Sequence, residues 1–201
     1  MTTFSRKSAP RVKRGQVQKK NNWEETGNYY NTFQAVPVIG RRRSGYGYRH
    51  LLAQRDVLRF IELLPDWDEI ARELDAIVLA PGRGSHYGYY RPGVVHICAW
   101  PDELREDYSP RFYEERRPRI EFLGVPCEKQ AGHIRLHWTE WTAGADQLLF
   151  TVLHELGHHH DALTTKQGGV ANRGENYAER YARQYTDVIW ARYCKVFPQS
   201  T

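Results

Sequence analysis

The chain reads as an α+β protein, and three features carry that reading. Apolar residues recur at helical spacing at 51–64 and again across about 144–160. Between them lie short runs rich in branched and aromatic residues at 76–80, 94–100, 119–125 and 133–138, which read as strands. A loop holding Gly168, Gly169 and Gly174 then leads into a last helical stretch from about Glu175 to Cys194. The order helix, strands, helix, loop, helix is an α+β plan.

Each element has a local reason. Residues 1–22 carry many charges and few large apolar side chains, a composition that buries too little to fold. Residues 23–49 are rich in Gly, Tyr, Asn and Arg and read as irregular chain draped over the body. The expected division is therefore a basic leader, disordered or irregular, over 1–49 and a domain over 50–197. Leu51, Leu58, Ile61 and Leu64 share a helical face, and Pro65 ends that helix. Asp66 followed by Glu69 resembles a capping box opening a short helix at 67–74. Ala76–Ala80 reads as a buried strand, 81–93 as a turn-rich loop, and Val94–Trp100 as a second strand. Residues 101–118 are charged and contain three prolines, so they read as an insertion. His133–Trp138 alternates in polarity, as an edge or half-exposed strand does. Leu148–Leu153 is an apolar run that leads directly into His154.

Composition excludes several classes. A length of 201 residues with 40% hydrophobic and 26% charged side chains suits one ordinary globular domain. No apolar run approaches the roughly 18 residues that cross a bilayer, so no membrane association is expected. The cationic N-terminus has no apolar segment behind it and does not read as a secretory signal. Three cysteines, far apart and without a C-x-x-C pair, exclude a disulfide framework and a thiolate zinc knuckle. A reducing, cytoplasmic location is expected. The net charge of +5 is unevenly placed. Residues 1–20 hold seven Lys or Arg and no acid, which leaves 29 − 7 = 22 basic against 24 acidic side chains in the rest. Residues 6–20 and 41–43 could make nonspecific phosphate contacts, with Tyr29, Tyr30, Tyr46 and Tyr48 stacking on bases. No helix-turn-helix or zinc-finger spacing points to sequence-specific reading.

The informative segment is His154-Glu155-Leu156-Gly157-His158, an H-E-x-x-H motif. On a helix, residues i and i+4 lie one turn apart on one face, so two imidazoles there can bind one zinc ion. Glu155 is rotated about 100° from His154, which suits a carboxylate beside the metal's water rather than on the metal. Zinc brings the pKa of such a water towards 7, and Glu155 can take its proton as general base. The motif arises by accident in roughly 3% of shuffled chains of this composition, so context must support it. It does, because polar groups in so apolar a helix are costly without partners.

A catalytic zinc needs a third protein ligand. Asp161 lies at i+7 from His154, two turns along the axis. His159 and His160 point off the face. Glu175, seventeen residues beyond His158, is the favoured ligand if a return helix packs against the first. Glu179, one turn further, is placed to accept a hydrogen bond from a liganding imidazole.

The segment Phe150-Thr151-Val152-Leu153-His154-Glu155-Leu156-Gly157-His158 resembles the active-site helix of zincin metallopeptidases. Glu175-x-x-Ala178-Glu179-x-Tyr181-Ala182 resembles the second helix of the gluzincin branch, and within it the compact ImmA/IrrE-like family. Glu179 stands where that family usually has Asn, and Tyr181 where it has Phe. The likeness spans roughly residues 132–190. It implies zinc (Zn²⁺) bound by His154, His158 and Glu175, with Glu155 catalytic. It also implies a small mixed sheet packed on the active-site helix and a glutamate-bearing C-terminal helix, with 133–138 as the edge along which an extended peptide lies. The metzincin pattern is excluded, since Asp161 and Thr164 stand where it needs Gly and His. An oxyanion stabiliser is expected among Tyr177, Tyr181, His159 and the tyrosines of the 86–90 loop.

The leading expectation is a zinc-dependent peptidase acting on a protein or peptide substrate. The alternative is a zincin-fold regulatory or nucleic-acid-associated module with a non-catalytic zinc. A third possibility is metal-assisted hydrolysis of a non-peptide bond.

Overall fold

A computed structural model describes residues 12–13, 16–17, 34, 36–84, 86–165 and 173–199. Most of the expected leader, Tyr29, Tyr30 and the loop glycines Gly168 and Gly169 lie outside the described residues. Within the leader, β1 (Val12–Lys13) pairs antiparallel with β2 (Gln16–Val17).

The α+β plan holds. The main sheet has four strands: β3 (Val38–Arg41), β5 (Ala76–Ala80), β7 (Val94–Cys98) and β6 (Gly88–Arg91), in that spatial order. β3, β5 and β7 run parallel, and β6 lies antiparallel on the edge beside β7. β5 and β7 are buried along their whole length, the mark of strands covered on both faces. Alternate residues divide between the faces. Ile77, Leu79, Val95 and Ile97 join the main core, while Ala76, Val78 and Val94 form a small separate cluster. The domain therefore begins before residue 50. Val38–Arg41 is a strand of the sheet, and β4 (Tyr48–Arg49) pairs with β8 (Trp100–Pro101). The arginine-rich composition of 36–49 hid a strand whose one buried residue is Gly40.

α1 (Gln54–Ile61) keeps part of the expected face, with Leu51 and Ile61 packed against the core. Val57 and Phe60 are buried, with Leu63 and Leu64 beyond the helix end, and Leu58 is exposed. α2 (Trp67–Ile70) is a single turn. Asp66 adopts a left-handed backbone and makes no side-chain cap, so the expected capping box does not form.

A second sheet orders β10 (Cys127–Gln130), β11 (His133–His137) and β9 (Arg105–Tyr108), all antiparallel. β11 is its middle strand. Its polarity alternates because only one face is buried, so His133–His137 is not the open edge that the resemblance implied. The supposed insertion at 101–118 and strand at 119–125 are instead β9 and α3 (Pro110–Phe122). Ser109 caps α3, with its Oγ accepting from Phe112 N at 3.3 Å, and Pro110 takes the first helical position. Salt bridges at i, i+4 (Arg111–Glu115 and Arg117–Glu121) run along its exposed side.

The helical stretch expected at 144–160 is longer. α4 (Glu140–Ala145), a π-helical segment (Asp146–Val152) and α5 (Leu153–Thr164) follow without a break in helical backbone. α6 (Glu175–Val196) packs back along α5. Among the described residues, no helix is long and apolar enough to cross a membrane.

Candidate metal centre

The site is built where α5, α6 and β6 meet. The π-helical turn delivers the chain into it. Gln147 Nε2 donates to Cys98 O of β7 at 2.8 Å, pinning the turn to the sheet. The Thr186 hydroxyl of α6 donates to Leu149 O at 2.9 Å, satisfying a carbonyl of the widened turn. α5 is thus held from both sides before His154 is reached.

Gly157 lets the second helix approach. A Cβ there would lie 2.8 Å from Ala178 Cα and 3.1 Å from Tyr181 Cβ of α6. Asp161 fixes where α6 starts. It is fully buried and accepts from Arg173 N (2.8 Å), Gly174 N (3.2 Å) and Arg173 Nε (2.8 Å). Burial alone would raise its pKa, but these bonds hold it below the usual aspartate range. Asp161 is therefore no ligand. It ties the end of α5 to the residue before Glu175.

The result is a convergence of three donors. His154 Nε2 lies 3.1 Å from His158 Nε2 and 3.0 Å from Glu175 Oε2, and His158 Nε2 lies 3.4 Å from Glu175 Oε1. Donors about 2.0–2.1 Å from one tetrahedral ion stand about 3.3 Å apart, so these spacings, with each imidazole facing its own oxygen of Glu175, are of the size one zinc ion needs. Burial lowers the His154 pKa to about 4, assisted by the neighbouring His158. A neutral imidazole is the form that binds metal. Two histidines and a carboxylate fit zinc, with a fourth position left for water or substrate.

Glu155 sits beside this group, not in it. Its side chain is 7% exposed, and burial pushes its pKa up to about 8, with Glu175 adding repulsion. The Tyr90 backbone on β6 hydrogen-bonds its carboxylate. Gly88 makes this contact of helix and strand feasible. A Cβ on it would meet Thr151 Cγ2 at 2.5 Å and Glu155 Cγ at 3.2 Å. Cys98 N donates to Tyr87 O at 2.8 Å, so the β6–β7 ladder runs through Tyr87, Tyr89 and Arg91. The polar backbone groups of Gly88 and Tyr90 consequently face away from β7, towards α5. Above them opens a cleft of about 860 Å³ between β6, α3 and α6, with His154, Glu155, His158 and Glu175 in its wall.

The other expected residues fall elsewhere. Glu179 lines the cleft but is exposed, and its carboxylate bonds neither histidine. Tyr177 and Tyr181 do not line the cleft. The Tyr177 hydroxyl bonds His160 Nδ1 at 2.6 Å, and Tyr181 is buried against Gly157. His159 is fully buried between the Tyr90 hydroxyl (3.2 Å) and Arg72 O (3.0 Å). Tyr87 turns its hydroxyl to Glu106 at 2.9 Å, and Tyr89 stacks on His96 at 4.1 Å. Gly88–Tyr90 of the expected 86–90 loop belong to the edge strand β6, and the Tyr90 hydroxyl bonds His159. Sequence reasoning missed α3 as a wall of the cleft. Its signal was present in Ser109-Pro110, a helix-opening pair.

Comparison with protein-family models, curated proteins and solved structures finds no match.

Proposed function

We propose that this chain is a zinc-dependent peptidase of gluzincin type, ImmA/IrrE-like, hydrolysing a peptide bond in a protein substrate. One observation carries the proposal: His154, His158 and Glu175 present three ligand atoms within 4.8 Å of one another, with buried Glu155 alongside. Zinc, when bound, supplies Lewis-acid activation of water and of the scissile carbonyl at neutral pH. The rest belongs to the chain. Glu155 takes up a proton at its carboxylate and returns it to the leaving amine. The Tyr90 backbone orients that carboxylate. An extended backbone would lie along β6, which has no strand partner on its outer side among the described residues. β6, rather than the 133–138 strand, is then the edge that receives substrate.

The test joins metal content with cleavage. The purified protein is expected to hold about one zinc. Glu155→Gln should keep it while losing cleavage by about 100-fold or more. Proteomic comparison of cells expressing each form would identify the cut protein. Undiminished cleavage by Glu155→Gln would sink the mechanism, and zinc without any cleavage would favour the binding-module reading.

A further inference from the structure

Three arginines line the same cleft, and they are not alike. Arg119 Nη2 donates to buried Asp146 at 3.2 Å, with Nε 3.1 Å from the other carboxylate oxygen. Arg183 stands exposed on α6. Arg116, on α3, is half-buried and has no carboxylate partner among the described residues.

Its surroundings are specific. The guanidinium lies over the Phe112 ring at 4.4 Å and the Tyr87 ring at 4.9 Å. Nη1 is buried with no hydrogen-bond acceptor. The ring contacts satisfy the flat faces of the guanidinium but none of its in-plane N–H donors. Burial, with Arg119 next in effect, lowers its pKa, so the group is held charged at a cost in free energy. Arg119, one helical turn on, shows the structural use of an arginine here, and Arg116 lacks that use.

We infer that Arg116 is the anion-recognising residue of the cleft and pairs with a carboxylate of the bound peptide. The planar fork, already fixed between two rings, suits bidentate pairing with a carboxylate, which binding would bring with its own negative charge. The inference rests on the peptidase reading for the kind of ligand. The carboxylate can belong to a Glu or Asp side chain or to the peptide C-terminus.

Binding of dye-labelled hexapeptides, read by fluorescence anisotropy, tests it without needing turnover. One series carries a single Glu at successive positions with both ends blocked, each peptide matched by a Gln version. A second series lacks Glu and has the C-terminus free or amidated. On the wild-type chain, one Glu position or the free acid should bind about 10- to 100-fold more tightly than its match. R116Q should remove that preference, and R116K, which keeps charge but not the fork, should keep a small part of it. Equal binding of every matched pair overturns the inference, as does a preference that survives in R116Q. Should R116Q fold poorly, the wild-type pairs and R116K decide. Cleavage followed in parallel separates the two readings. A carboxylate preference without cleavage leaves Arg116's role standing and removes the peptidase. Cleavage without any preference does the reverse.

Discussion

Gly157→Ala tests the helix packing on which the site depends. The added Cβ would lie 2.8 Å from Ala178 Cα and 3.2 Å from Ala178 O. These are backbone atoms and cannot rotate aside. Carbon atoms rest about 3.5–4.0 Å apart, so α6 must retreat by roughly an ångström. Overpacking of this kind costs about 1–3 kcal/mol. Alanine returns about 0.8–1.0 kcal/mol as the better helix former. The net expectation is a loss of about 0–2 kcal/mol. In a chain of this size that lowers the thermal midpoint by up to about 8 °C.

Gly144→Ala is the matched control. It makes the same substitution on a helix of the same rod, but its Cβ would meet only Leu52 Cδ2, at 3.7 Å. Propensity acts alone there, so the midpoint should rise by about 2–4 °C. The contrast between the two variants is the measurement, read by thermal denaturation of the metal-free protein. A second readout follows from position. Glu175 is the first residue of α6, so a retreating α6 draws it from His154 and zinc affinity should fall in Gly157→Ala alone. If both variants stabilise the chain equally and bind zinc equally, the close contact at Gly157 does not govern the site and the reasoning fails.

Three further outcomes are expected. Chelation should lower the wild-type midpoint, by about 3 kcal/mol of stability where zinc was at 100 times its Kd, and should leave a His158→Ala variant unmoved. Calorimetry with and without chelator reads the difference. Arg119→Met strands the Asp146 carboxylate, which is fully buried, and should cost about 3–5 kcal/mol in urea unfolding. Adding Asp146→Asn should restore much of this loss; no restoration would show that the pair is not what Arg119 holds. Asp161→Asn should cost about 1–2 kcal/mol at pH 7 through the weakened start of α6. Because the folded pKa of Asp161 lies below its unfolded value near 3.9, its stabilisation is complete above that value and fades as pH falls through the folded one. The gap between wild type and Asp161→Asn should therefore close below about pH 4, and a gap constant down to pH 2 contradicts the assigned role.

His154, His158 and Glu175 were legible because helix geometry is local. A spacing of four residues fixes two imidazoles on one face whatever the tertiary fold, and seventeen residues suffice for a loop and a return helix. The strand at Ala76–Ala80 was legible for a similar reason, being short, apolar and bounded by turn residues. α3 was not. Its helix is rich in charge and carries Pro118 inside, so the apolar period is weak, and only the Ser109-Pro110 opening marks it. β3 was missed because edge strands need bury little, and Val38 is exposed while Gly40 is buried.

The tyrosines show a different limit. Tyr177 and Tyr181 stand on α6 within two turns of Glu175, so sequence distance alone places them near the site. A helix, however, presents residues two or six places apart on different faces. Glu175 faces the two histidines, whereas Tyr177 turns to His160 and Tyr181 to Gly157. The Tyr181 Cβ belongs to the close approach of α5 and α6, 3.1 Å from where a Cβ on Gly157 would stand. The same logic moves the proposed substrate edge from β11 to β6. Alternating polarity shows that one face of a strand is wet, but it cannot show which strand lacks a neighbour. That depends on pairing across the sheet, and Gly88, small enough to let Glu155 and Thr151 come against β6, is the residue through which pairing and chemistry meet.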